Sequence, residues 1–214
     1  MIRFWRLEVV RRWRIFLIFL AIVLSGYFIW RLLVPSKNLP PDFLRVKYQA
    51  ALVAKDIVFL SGESNNQLKE INELDKNRRF SRALNLVSRE LNRNQELREK
   101  AINLSNEIEK MVRLVPLIRP IKARETALTA LNYEVSLISR LINYNAYLSS
   151  LLELLRAKFI AGGESNGGVE ELIGKLNDEV IKINELNNQF SSTMTDFEKM
   201  MAEFAQVYPG QGLL

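Results

Sequence analysis

From Asp42 to Val207 the sequence keeps apolar residues at three- and four-residue spacing, and only three short stretches break that rhythm. They are the polar Asp75–Arg79, the pair Pro116 and Pro120, and the glycine-rich 162–168. Periodicity of that kind, broken at intervals of roughly forty residues, points to long amphipathic helices joined by short turns. The whole chain holds six prolines and nine glycines, too few for many short strands with tight turns.

The expected fold is all-α, a long antiparallel four-helix bundle of coiled-coil character with helices at about 42–75, 79–115, 121–160 and 168–207. Asp42 is the expected cap of the first helix, and Ser61-Gly62-Glu63-Ser64 reads as a kink or local break within it. Pro116 and Pro120 end the second helix, because each removes a backbone donor and disfavours helix in the residue before it. Helices of this length make a rod roughly 50–60 Å long. Charge supports the pairing: residues 76–124 carry a net +8 and residues 125–214 a net −6.

Ahead of the bundle, Ile15 to Val34 is a twenty-residue apolar run whose only charge is Arg31. At about 1.5 Å per residue it matches a bilayer core of roughly 30 Å. Trp13, Tyr27 and Trp30 suit the two interfaces, and five arginines precede the run. The expected order is a basic cytoplasmic stub at 1–14, a transmembrane helix at 15–34 and a linker at 35–41. An extracytoplasmic bundle over 42–208 and a tail at 209–214 complete it. A cleaved signal peptide is the rival reading, with Val23 and Ser25 as the small residues of a cleavage site. The apolar run continues past Ser25 to Val34, which favours a retained anchor.

Charge location also decides the partner class. The net +6 lies entirely within residues 1–40, and residues 41–214 are neutral. The basic balance therefore describes a membrane flank, and no nucleic-acid partner is expected. The chain has neither cysteine nor histidine. Disulfides are excluded, zinc, iron–sulfur and haem sites lose their usual ligands, and the commonest general base is missing. No catalytic residue, metal site or cofactor is assigned, and no enzyme is expected.

Three local patterns resemble known motifs or one another without carrying a function. Gly162-Gly163-Glu164-Ser165-Asn166-Gly167-Gly168 with Gly174-Lys175 lacks the spacing and the Ser or Thr of a phosphate loop, and reads as a helix–helix turn. Residues 59–65 and 159–166 look alike, but their flanks agree only in pattern. Residues 74–92 resemble the turn and second helix of a tetratricopeptide repeat through Phe80, Ala83 and Leu84. They cover less than one repeat, without the turn glycine or a 34-residue period, so an ordinary helical hairpin is favoured.

Two surfaces stand out. The third helix carries Leu128, Leu131, Val135, Ile138, Ile142 and Leu152 on one face, and Leu137, Leu141, Tyr144, Leu148, Leu151 and Leu155 on the next. Two apolar faces exceed one bundle seam. The second is a candidate partner-binding face, or else this helix is the central one of a lopsided bundle. The turn between the second and third helices sets Leu117 and Ile118 among Arg113, Arg119, Lys122 and Arg124, a candidate membrane-surface contact.

One span before long antiparallel helices resembles LemA-type proteins in outline, but the shared residues are only Tyr144-Asn145. Chemoreceptor sensor domains are similar bundles, yet they need a second span that this sequence does not offer. Neither resemblance assigns a family. The expected function is a membrane-anchored scaffold or adaptor that binds a protein partner or a second copy. The alternative is an extracytoplasmic ligand-binding sensory module. Polar residues gathered at one depth of the bundle would favour the sensor, with Asn143, Asn145 and Asn187 as the candidates.

Overall fold

Pro40 and Pro41 hold the backbone just ahead of the first helix described, α1 (Pro41–Lys76), where Pro41 gives up a donor the first turn does not need. The computed structural model describes residues 39–163 and 168–207. The expected stub, span, tail and most of the linker lie outside the described residues. Asp42 is inside the first turn rather than at the cap, and its carboxylate accepts a hydrogen bond from Arg45 at 3.1 Å. The break expected at Ser61–Ser64 is not there. α1 runs unbroken through it, because a lone helical glycine costs only about 1 kcal/mol while the flanking turns bury Ile57, Ser61, Ser64 and Leu68.

α1 closes with two hydrogen bonds that satisfy its last carbonyls: Arg78 N–H donates to Asp75 O at 3.0 Å and Arg79 N–H to Leu74 O at 2.9 Å. Arg78 sits at φ +54°, the place usually taken by glycine. α2 (Phe80–Leu114) follows, then a 3-10 turn at Val115–Leu117, then α3 (Ile121–Ile160). α3 ends in the same closing pattern, with Gly162 donating to Phe159 O and Gly163 to Lys158 O. α4 (Val169–Val207) completes the chain order, and its start follows a glycine-rich stretch whose residues 164–167 are outside the described set.

The two look-alike segments take different shapes. Residues 59–65 are mid-helix in α1, whereas Phe159–Gly163 is a helix end. The 74–92 segment is a helical hairpin with Ala83 fully buried.

The described residues form four helices packed against each other, with no strand among them. Each packs chiefly on its neighbours in sequence, α1 on α2, α2 on α3 and α3 on α4, while α1 and α4 barely meet. This order explains why α3 carries two apolar faces: it is held between α2 and α4 and buries a seam toward each. The core is in two parts. A cluster at the chain-entry end joins Leu39, Phe43, Leu104, Val115, Ile118, Ala127, Phe197 and Met201. A second cluster at the opposite end joins Leu68, Ile71, Val87, Leu148, Leu152, Phe159 and Ile183. At that far end Phe80 and Phe159 stack at 5.7 Å, and Lys158 donates to both oxygens of Asp75 at 2.9 and 2.7 Å. No helix among the described residues is long and apolar enough to cross a membrane.

Candidate functional site

Between the two apolar clusters the helices turn polar. α1 contributes Ser61, Ser64 and Asn65, α2 contributes Glu90 and Asn94, and α3 contributes Asn145, every one of them buried. Helical spacing explains the grouping. Ser61, Ser64 and Asn65 are three and four residues apart, as are Glu90 and Asn94, so each set shares one inward face. Asn94 Nδ2 donates to the main-chain oxygen of Asn145 at 2.7 Å, a bond between side chain and helix backbone that ties α2 to α3. Asn94 Oδ1, Ser64 Oγ, Glu90 Oε1 and both polar atoms of the Asn145 side chain are buried without a hydrogen-bond partner among the described residues.

Glu90 is the charged centre of this layer. Its Oε2 accepts from Arg93 at 2.8 Å, and Arg93 reaches on to Glu63 of α1 at 4.0 Å. Burial pushes the Glu90 carboxyl up to about 7, a rise that the Arg93 guanidinium limits and the Glu63 charge reinforces. The phenol of Tyr144 is also pushed up, first by its own burial and then by the Glu90 charge. Nearer the chain-entry end, Glu134 on α3 is 2 % exposed, and burial alone raises its carboxyl to about 7. Glu179 of α4 is buried too, with Arg140 at 3.5 Å and Lys182 at 3.9 Å. Oxygen-rich groups of this kind can hold a proton, a hydrogen-bond donor or a small polar ligand, at the cost of dehydrating each other.

The turn between α2 and α3 forms a second site at the chain-entry end. Ile118 is fully buried, its N–H donates to Val115 O at 2.9 Å, and its carbonyl accepts from Arg124 Nε at 3.3 Å. Those bonds turn Ile118 inward and leave Leu117 at 58 % exposure and Ile121 at 66 %. Arg113, Arg119 and Lys122 are exposed around them, and Arg113 pairs with Glu109 at 2.6 Å. The apolar pair at this surface is therefore Leu117 and Ile121. Ile118 belongs to the core, and Arg124 is half-buried against it.

The chain matches no known protein family, no curated protein and no solved structure.

The residues expected to form a partner-binding face lie elsewhere. Leu137, Leu141, Tyr144, Leu148 and Leu151 are all buried, and Leu155 is half-buried against the far cluster, so this face is occupied by the bundle itself. Two residues of the supposed core face take the outward place instead. Leu128 is 41 % exposed and Val135 46 %, and with Ile121 they make a seven-residue repeat along the outside of α3. A separate outward row on α1 consists of Tyr48, Leu52 and Phe59. Of the three asparagines singled out from sequence, Asn145 lies in the polar layer, Asn187 is buried on α4 and Asn143 is half-buried. Sequence reasoning missed Glu90, Asn94 and Glu134. Their signal was a polar residue at an inward position of the helical repeat, as with Glu134 between Leu131 and Ile138.

Proposed function

We propose that this chain is a membrane-anchored helical scaffold whose bundle stands outside the cytoplasm and holds a protein partner or a second copy of itself. The observation that carries the reading is the apolar run Ile15–Val34, one charge in twenty residues, which ends five residues before Leu39, a residue buried in the bundle core. The arginines before the run orient it with the stub in the cytoplasm. The outward row Tyr48, Leu52 and Phe59 on α1 supports a protein-contact role, since large apolar side chains gathered on one helix face commonly mark an interface.

Topology is tested on intact cells or right-side-out vesicles. Added protease is expected to degrade the bundle and spare the stub, and full protection of the bundle would reverse the orientation. The scaffold role is tested by placing a photo-crosslinker at Phe59 in the full chain within membranes. A discrete adduct, with another protein or with itself, is expected; only monomer would sink the scaffold reading.

The polar layer favours a second reading, a sensory module that binds a small polar molecule between helices and reports through a partner. Buried polar atoms gathered at one depth are what a ligand site in a bundle needs. Small-molecule binding that shifts the Tyr144 environment, and is abolished in Asn94→Leu, would favour this reading over the first.

A further inference from the structure

We infer that the turn joining α2 to α3 rests on the bilayer surface and holds anionic lipid headgroups. The inference deepens the anchored reading and rests on it for the position of the chain-entry end.

Val34, the last residue of the apolar run, and Leu39 are five residue steps apart, which span no more than about 18 Å of fully extended chain. Leu39 is 3 % exposed and belongs to the same buried cluster as Val115 and Ile118. Whatever holds the apolar run in a bilayer thus keeps the α2–α3 turn near its surface. The opposite end of the bundle, with Asp75 and Phe159, is a helix length of roughly 50 Å away.

Chemistry then selects the occupant. The turn buries Ile118 completely and yet leaves Leu117 and Ile121 in the open, on either side of it in sequence. Each such side chain favours an apolar environment by roughly tenfold or more in partitioning. Arg119 and Lys122 stand beside them and form no ion pair among the described residues, while Arg113 is shared with Glu109. Two apolar side chains flanked by unshared bases suit the boundary between acyl chains and negatively charged headgroups. A base near an anionic surface adds up to roughly fivefold, so Arg119 and Lys122 together contribute on the order of 25-fold. A protein partner at this place would have to be acidic to meet Arg119 and Lys122.

The chain has no cysteine, so single-cysteine variants report from one place each. Full-length Leu117→Cys and Ile121→Cys, with Ser81→Cys at the far end as reference, are labelled with an environment-sensitive fluorophore. They are then reconstituted in phosphatidylcholine vesicles with or without phosphatidylglycerol, including brominated lipid. The labels at 117 and 121 are expected to shift to the blue and to be quenched by brominated lipid in the anionic vesicles. The label at 81 stays in water throughout. High salt, or Arg119→Ser with Lys122→Ser, is expected to lower the docked-to-undocked ratio by up to about 25-fold. If the labels at 117 and 121 behave like the one at 81 in anionic vesicles at low salt, the contact is overturned. Carbonate extraction separates this from the anchor. A chain that resists extraction while both labels stay aqueous keeps its anchor and loses the contact. A chain that is extracted, although its labels were quenched beforehand, loses the anchor and keeps the contact.

Discussion

Arg78 occupies a backbone conformation that a side chain enters at a cost of about 1–2 kcal/mol, and it does so to let Arg79 and itself close the last turn of α1. Arg78→Gly is expected to stabilise the fold by about 0.5–1 kcal/mol in urea unfolding, the relief of strain less the added freedom of the unfolded chain. Gly163 is the converse case: φ is +97°, and an added Cβ would come within 2.4 Å of the Phe80 ring. Gly163→Ala is therefore expected to cost about 1–3 kcal/mol and to disturb the Phe80–Phe159 stack. Two buried acids, Glu90 and Glu134, make the stability pH-dependent, and Glu134 is the simpler because burial alone shifts it. Its carboxyl is raised from 4.5 to about 7 in the fold, so folding favours the protonated form. Its stability contribution is complete below pH 4.5, is lost as pH rises to about 7, and stays lost above that. Glu134→Gln should be more stable than the parent chain at pH 8, by about 3 kcal/mol at most, with the gain vanishing by pH 4. Thermal melts across that range check it, and a gain independent of pH would show that the carboxyl ionises freely in the fold. Gly163 was legible as part of a glycine-rich turn, whereas the strain at Arg78 and the burial of Glu134 were not. A positive φ at an arginine leaves no mark in composition, and one acid inside a regular apolar repeat reads as part of the solvated face.

At the scale of elements, the number and limits of the helices were legible, because prolines, glycines and a polar pentapeptide punctuate an otherwise unbroken period. The roles of the faces were not. α3 has apolar residues around much of its circumference, and periodicity alone gives Leu128 and Leu148 equal claim to the core. Neighbours decide the matter: α2 and α4 cover Leu148, which is 1 % exposed, and leave Leu128 open. Leu148→Ala is expected to cost about 2–5 kcal/mol, as truncated buried leucines do, while Leu128→Ser stays within about 0.5 kcal/mol. Denaturant unfolding of both variants checks the assignment, and equal losses would contradict it. The turn at 115–120 shows the same limit on a smaller scale. Its apolar and basic character was plain in the sequence, but the inward aim of Ile118 depends on its main-chain bonds to Val115 and Arg124.

For the molecule as a whole, the order of packing matters more than the number of helices. α2 and α3 have a neighbour on either side, whereas α1 and α4 are each held mainly by one. Opening is therefore expected to begin at the flanks. Native-state hydrogen exchange should show α4 amides opening at lower free energy than those of α3, with α2 and α3 the last to yield. Uniform protection across all four helices would instead mean that α1 and α4 brace each other directly. The candidate sites follow the same division, since the polar layer draws on the two central helices together with α1, and the turn at 115–120 joins the two central helices.

The bond from Asn94 to the Asn145 carbonyl has a consequence for alignment. Long helices with repeating apolar stripes can slide past one another by a heptad and still match leucine to leucine, a displacement of roughly 10 Å. In this bundle such a slip would carry Glu90 and Asn94 in among the leucines of one cluster or the other. It would also break the bond from the Asn94 side chain to the backbone of α3. Each misplaced polar group costs about 1–3 kcal/mol, so the slipped forms are disfavoured by several kcal/mol together. The polar layer thus acts as a vernier mark: it admits one alignment of otherwise interchangeable stripes, and so keeps the turn at Leu117 level with the point where the chain enters at Leu39.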